Sequence, residues 1–189
     1  MKENHQAENF IHRGHPQSHQ LAFKPDLKWV YSRFNFAVAF GFGAGLIKPG
    51  PGTWGSILAF LLWLPLKHIL DNEWLIVAFL TLGFVFGCYA CHKTGKYLRV
   101  HDYGGIVWDE MIALWLVLFV ITPVQHNLLW SVLALLIFRI YDIFKPWPIK
   151  TLDCSLKNGL GVMLDDILAA LYTLFTLAIL MRLGGIFMN

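Results

Sequence analysis

The chain has 189 residues, 57% of them hydrophobic and 14% charged, with a formal net charge of +3. That balance excludes an ordinary water-soluble domain and points to one membrane-embedded domain. The bases are scattered rather than massed in a stripe, so no nucleic-acid partner is expected.

Residues 1–33 are polar, and His5, His12, His15 and His19 are irregularly spaced there. The segment reads as a disordered cytoplasmic tail rather than a metal tract, with no cleavable signal peptide. Residues 34–189 form the expected membrane domain. Phe34–Ile47 is apolar but short and glycine-rich, which suits a re-entrant or interfacial helix. Five longer runs follow: Thr53–Leu70, Trp74–Cys91, Ile106–Ile121, Leu128–Phe144 and Asp165–Leu183. Each approaches the roughly 20 residues that cross a bilayer. The expected fold is therefore all-α, a polytopic transmembrane bundle of about five spans plus one short helix. Cys88, Cys91 and Cys154 are an odd set without a second pair and read as structural thiols.

The basic residues choose an orientation. Lys2, Arg13, Lys24, Lys28 and Arg33 precede the spans; Lys93, Lys96 and Arg99 follow the second; Lys145, Lys150 and Lys157 follow the fourth. The turns Asp71–Glu73 and Thr122–Asn127 carry no Lys or Arg. The positive-inside rule then puts the N-terminus and both basic loops in the cytoplasm.

Four segments fall on that cytoplasmic side. Lys48–Ser56 is a Pro/Gly turn entering a helix, with Thr53 expected as its N-cap. It is either an ordinary turn or an anion site built from Gly52, Thr53 and free N–H groups. His101-Asp102 precedes a glycine pair and reads as an ordinary loop or a weak acid–base candidate. Asp109-Glu110 opens Met111–Ile121, and Asp165-Asp166 is expected to open Ile167–Met181. Arg139, Asp142 and Lys145 follow i, i+3, i+6, covering about 120° of a helix face. Charge beside hydrocarbon costs up to roughly 2.5 kcal/mol or more per group at a helix centre. Helix capping explains one acidic pair well. Two pairs beside a basic cluster, on one membrane side, fit a divalent cation and a phosphate ester.

Those residues give the chain a resemblance to the bacterial phosphatidylglycerophosphatase A family, from about Phe36 to Leu180. The resemblance rests on Pro51-Gly52-Thr53-Trp54-Gly55-Ser56, on Ile106-Val107-Trp108-Asp109-Glu110, on Phe138-Arg139-Ile140-Tyr141-Asp142-Ile143-Phe144-Lys145-Pro146 and on Gly159-Leu160-Gly161-Val162-Met163-Leu164-Asp165-Asp166. It implies a Mg2+-dependent phosphatase of the bacterial inner membrane. Its substrate would be the lipid phosphatidylglycerophosphate, and its products phosphatidylglycerol and phosphate, within phospholipid biosynthesis. On this reading Asp109, Glu110, Asp165 and Asp166 hold Mg2+. Arg139 and Lys145 neutralise the phosphate beside Gly52 and Thr53, and Asp142 orients Arg139 or joins the metal shell. The catalytic set is Asp109, Glu110, Arg139, Asp142, Lys145 and Asp166. The nucleophile stays open between water and an aspartate, with water favoured because the acids serve better as ligands. Two other classes remain: an ion- or proton-coupled transporter, and a non-catalytic membrane assembly subunit.

Overall fold

The structure is a computed structural model that describes residues 24–100, 103–123, 127–149, 151, 156 and 158–187. Among them there are helices and no strands. His5, His12, His15, His19, His101, Asp102, Lys150, Cys154 and Lys157 lie outside the described residues. The described part of the expected tail carries a short helix, α1 (Leu27–Val30), N-capped by Asp26. Trp29 stacks on Phe36 at 4.3 Å between ring centroids, which holds this segment on the bundle.

Phe34–Ile47 is not one helix. It is α2 (Phe34–Ala39) followed by a 3-10 segment, Gly41–Leu46, broken where Phe42 and Gly43 take φ of 53° and 106°. Six residues of α-helix rise about 9 Å, far short of the hydrocarbon core. The break fits a segment folded against the bundle. Val107 N–H donates to the Ala39 carbonyl at 2.9 Å, tying it to the start of the helix that begins at Trp108.

The bundle proper is α3 (Pro51–Ile69), α4 (Glu73–Leu98), α5 (Trp108–Ile121), α6 (Asn127–Phe144) and α7 (Gly159–Phe187). The short helix α5 is the hub. It packs on α3, α4, α6 and α7, and nearly every residue from Trp108 to Leu118 is buried. Close approach around it depends on small residues. A side chain at Gly83 would meet Ile112 Cδ1 at 2.6 Å, and one at Gly87 would meet Met163 Sδ at 2.7 Å. Indole N–H groups lock the contacts: Trp108 donates to the Gly83 carbonyl at 3.0 Å and Trp115 to the Ala59 carbonyl at 2.8 Å.

The outer faces are apolar. Leu61 and Leu64 on α3, Leu82 and Val85 on α4, Leu136 and Ile143 on α6, and Leu171 and Phe175 on α7 are all exposed. Such a belt is a liability in water and suits lipid. Two helices, Glu73–Leu98 and Gly159–Leu183, are long and apolar enough to cross a membrane. Cys88 and Cys91 both lie on α4, Cys91 fully buried.

Two expected boundaries are corrected. α4 runs on to Leu98, because its polar last turns still satisfy their backbone and end in a left-handed cap at Arg99 (φ 59°). α7 starts at Gly159, not at Asp165: Asn158 Oδ1 accepts the Gly161 N–H at 2.9 Å, an N-cap arrangement. Asp165 and Asp166 therefore sit well inside the helix, where neither end charge nor capping explains them.

Glycine at 159 lets α7 dock on α4. A Cβ there would strike the Cys88 carbonyl oxygen and lie 2.7 Å from the His92 backbone nitrogen. Among the described residues, a Cβ at Gly104 would meet nothing within 4 Å. Gly159→Ala should therefore cost about 1–3 kcal/mol through overpacking, and Gly104→Ala much less. Thermal unfolding of the two purified variants in detergent checks the contrast; equal midpoints would refute it.

Candidate active site

The chemistry-bearing residues gather at one end of the bundle. Thr53 lies in the first turn of α3, Asp109 and Glu110 in the first turn of α5, Arg139 and Asp142 in the last turns of α6, and Lys145 just past it. Asp165 and Asp166 come from α7. Four chain segments that are distant in sequence meet there.

Arg139 is the centre of the cluster. Its Nη1 donates to Glu110 Oε1 at 2.9 Å and also to Asp142 Oδ2. Its Nη2 lies 3.5 Å from Thr53 Oγ1. The side chains of Arg139 and Glu110 are only 14% and 12% exposed, so this is a largely dehydrated network. Arg139 Nε is buried and makes no hydrogen bond among the described residues. Lys145 makes a second ion pair, donating to Asp165 Oδ2.

The helix-face reading of Arg139, Asp142 and Lys145 holds for the first two only. Lys145 has φ of 40°, and its N–H bonds the Tyr141 carbonyl at 2.9 Å, closing the helix. The following proline disfavours right-handed geometry at this residue. Its side chain is thereby sent across to α7 instead of lying along α6.

Asp109 is 6% exposed, and Asp165 and Asp166 are each 3% exposed. Asp166 lies within electrostatic reach of Asp142, Asp109, Asp165 and Glu110. Its Oδ2 is buried without a hydrogen-bond partner among the described residues. Five carboxylates thus share one end of an apolar bundle with two fixed cations.

The entry to α3 differs from expectation. The N-cap is Gly50, in left-handed geometry (φ 69°), with Pro51 in the first position. Thr53 therefore cannot cap, and its hydroxyl turns to Arg139. Gly52 is pressed onto Glu110: a Cβ there would come within 2.7 Å of the carboxylate carbon. Gly55, given no role in the sequence analysis, plays a similar part: a Cβ there would lie 2.6 Å from Val107 Cβ and 3.2 Å from Glu110 Oε2. The Gly52-x-x-Gly55 spacing was the available signal, since i and i+3 share a helix face. Ser56 extends this face; it is fully buried, and its Oγ has no hydrogen-bond partner among the described residues.

A family model, Phosphatidylglycerophosphatase A, matches residues 37–181. A Haemophilus influenzae protein named "Phosphatidylglycerophosphatase A" is 44% identical over 135 residues, 71% of this chain and 81% of its own length. An Escherichia coli protein of the same name is 40% identical over 132 residues, 70% of this chain and 74% of its own. A Bacteroides thetaiotaomicron protein named "Putative phosphatidylinositol-3-phosphatase" is 34% identical over 143 residues, 74% and 88% of the respective chains. No solved structure matches the chain.

Removing the cation of a buried pair leaves uncompensated charge and costs about 3–5 kcal/mol. Arg139→Met should destabilise the protein by that order, and adding Glu110→Gln and Asp142→Asn should restore part of it. Unfolding midpoints of the single and triple variants check this; additive losses would deny the coupling.

Proposed function

Because the chain belongs to the phosphatidylglycerophosphatase A family, we propose that it is a phosphoric monoester hydrolase converting phosphatidylglycerophosphate to phosphatidylglycerol and phosphate. The observation that carries the reading is the Arg139 network, which joins Thr53, Glu110 and Asp142 from three helices at one end. We place that end at the cytoplasmic face of a bacterial inner membrane, in a bundle of about five spans. The apolar outer belt and the Lys/Arg asymmetry support this placement.

The donor set fits Mg2+. It is all carboxylate oxygen, it carries surplus negative charge, and Asp166 Oδ2 is buried without a partner among the described residues. Among those residues no three acidic side chains form a ready cage. Mg2+ does not need one, being commonly held by one or two carboxylates with water and substrate phosphate. Asp109, Glu110, Asp165 and Asp166 would hold it, directly or through waters. The ion supplies Lewis-acid stabilisation of charge on the phosphoryl group.

The protein's own residues do the rest. Arg139 presents a planar fork to the phosphate and Lys145 a point charge. Both now bond carboxylates, so a phosphate must compete with Glu110, Asp142 and Asp165 for them. Thr53 Oγ1 steadies the fork, and Asp142 holds it in register. Glycines 52 and 55 fix Glu110 against α3. Phosphate release from the lipid by purified protein separates this reading from a transporter or an assembly subunit.

Three results are expected. Excess EDTA abolishes phosphate release, and Asp109→Asn and Asp166→Asn each lose most activity while still inserting; full turnover in EDTA refutes the metal. Arg139→Lys loses about tenfold or more if the fork contributes about 1.4 kcal/mol in the transition state; a wild-type rate leaves only a generic charge. In a background lacking Cys88, Cys91 and Cys154, an impermeant thiol reagent on intact cells labels Asn72→Cys and spares Lys96→Cys. Labelling at position 96 would put the site on the outer face.

A further inference from the structure

α3 and α6 approach each other at the Arg139–Thr53 contact and again far from it. At the second place they enclose a cavity of about 250 Å³. Phe60, Trp63, Leu64 and Lys67 of α3 line it, with Leu128 and Ser131 of α6.

On both helices the lining shares a face with the site. On α3, Thr53, Ile57, Phe60, Leu64 and Lys67 follow i, i+4, i+7, i+11 and i+14, all within about 80°. On α6, Arg139, Leu135, Ser131 and Leu128 step back by four, four and three, again within about 80°. Ile57 and Leu135, between the two ends, are half-buried and apolar. One seam therefore runs from the Arg139 network to the cavity. Its length comes out alike on either helix. Phe60 and Leu64 lie roughly 10 and 16 Å along the axis from Thr53, and Ser131 and Leu128 roughly 12 and 16 Å from Arg139. That is the depth of one leaflet, half of a hydrocarbon core of roughly 30 Å.

The cavity has a buried floor and an open side. Trp63 and Ser131 are buried, whereas Leu64 and Leu128 are exposed. Ser131 is the smallest side chain of the set and leaves the room. Lys67 also lines a neighbouring cavity with Asp71 and Glu73 at the end of α3 away from the site. Its methylenes can cover apolar surface while its charge stays in water.

A lipid whose phosphate sits at Arg139 has its tails rooted beside Thr53. The seam is an apolar path that begins at those two residues and ends one leaflet deeper. Building on the proposed function, we propose that the α3–α6 seam binds one acyl chain of the lipid substrate, with the distal part of the chain in the cavity at Trp63 and Ser131. A chain too short to span the leaflet forgoes that contact, so the cavity sets a preference for chain length.

Photolabelling tests the path. Purified protein in phosphatidylcholine nanodiscs is irradiated with one of two lipids, each carrying a diazirine at the end of a palmitoyl chain. One is phosphatidylcholine. The other is a phosphonate analogue of phosphatidylglycerophosphate, in which CH2 replaces the ester oxygen and prevents hydrolysis. The analogue is expected to label residues 60–67 or 128–135 severalfold more than phosphatidylcholine does. Equal labelling there would mean ordinary surrounding lipid, and preferential labelling elsewhere would mean another path; either overturns the proposal.

Kinetics test the chain-length preference. Leu64→Trp and Ser131→Met each narrow the cavity. Each is expected to raise KM for the dipalmitoyl substrate about tenfold, the worth of roughly two buried methylenes, and to leave KM for the dihexanoyl substrate unchanged. Leu82→Trp, on the exposed face of α4, should alter neither. A KM raised equally for both chain lengths, or for neither, overturns the proposal. Phosphate release by the wild type tells two failures apart. Release without preferential labelling of the seam refutes the acyl path alone, whereas no release refutes the phosphatase reading and this proposal with it.

Discussion

The arrangement depends on an imbalance of charge at one end of an apolar bundle. Glu110, Asp142, Asp109, Asp165 and Asp166 converge on Arg139 and Lys145, so acids outnumber bases. In a dehydrated setting such a surplus is costly unless protons or a cation offset it. A phosphate dianion cannot simply add to it. A cation that drew the carboxylates would release the two bases, and the bases would then receive the phosphate. Metal and substrate would thus favour each other's binding, because each removes the charge that opposes the other, and such coupling is reciprocal.

Holding that cluster together requires close helix packing more than long helices. α5, which presents Asp109 and Glu110, has 14 residues, about 21 Å at helical rise. It is surrounded by α3, α4, α6 and α7, so its polar end is screened by protein rather than lipid. Glycines 52, 55, 83 and 87 remove the side chains that would hold neighbours away from it. The same contacts that bury Val107, Trp108 and Ile112 set the position of Glu110. Site geometry and core packing are one constraint, and a glycine on α3 is as much a part of the site as the carboxylate it touches.

Much of this was legible from residue pattern. Apolar runs located α3 to α6 to within a few residues at most ends, and the acids at the head of α5 are where their spacing put them. The glycines of Phe34–Ile47 marked it as too short to cross, but the expectation was one short helix, and its break at Phe42 and Gly43 was not part of it. What was not legible depended on tertiary contact. The expected helix start at Asp165 left out Asn158, which caps α7 and moves Asp165 and Asp166 from a helix end to a helix interior. Lys145 shared a nominal face with Arg139, but the left-handed turn ahead of Pro146 sends it to α7. Thr53 looked like a cap because Ser and Thr commonly are, whereas Gly50 takes the left-handed geometry that a threonine resists.

The distribution of charge also bears on which class of membrane protein this is. Beyond the cluster, Met111–Ile121, Leu128–Phe138 and Ile167–Met181 contain no Asp, Glu, Lys, Arg or His. Their polar contacts are hydroxyls such as Tyr141 to Thr176 at 2.8 Å and Thr173 to the Ala169 carbonyl, which satisfy local groups. A proton or ion relay needs ionisable residues at intervals through the membrane. Here the cluster ends within about two turns of one face, Lys67, His68 and Arg182 lie towards the other ends of their helices, and the stretches between are apolar. That arrangement favours chemistry performed at a single membrane surface, on a molecule whose charged part is in water and whose tails are in lipid.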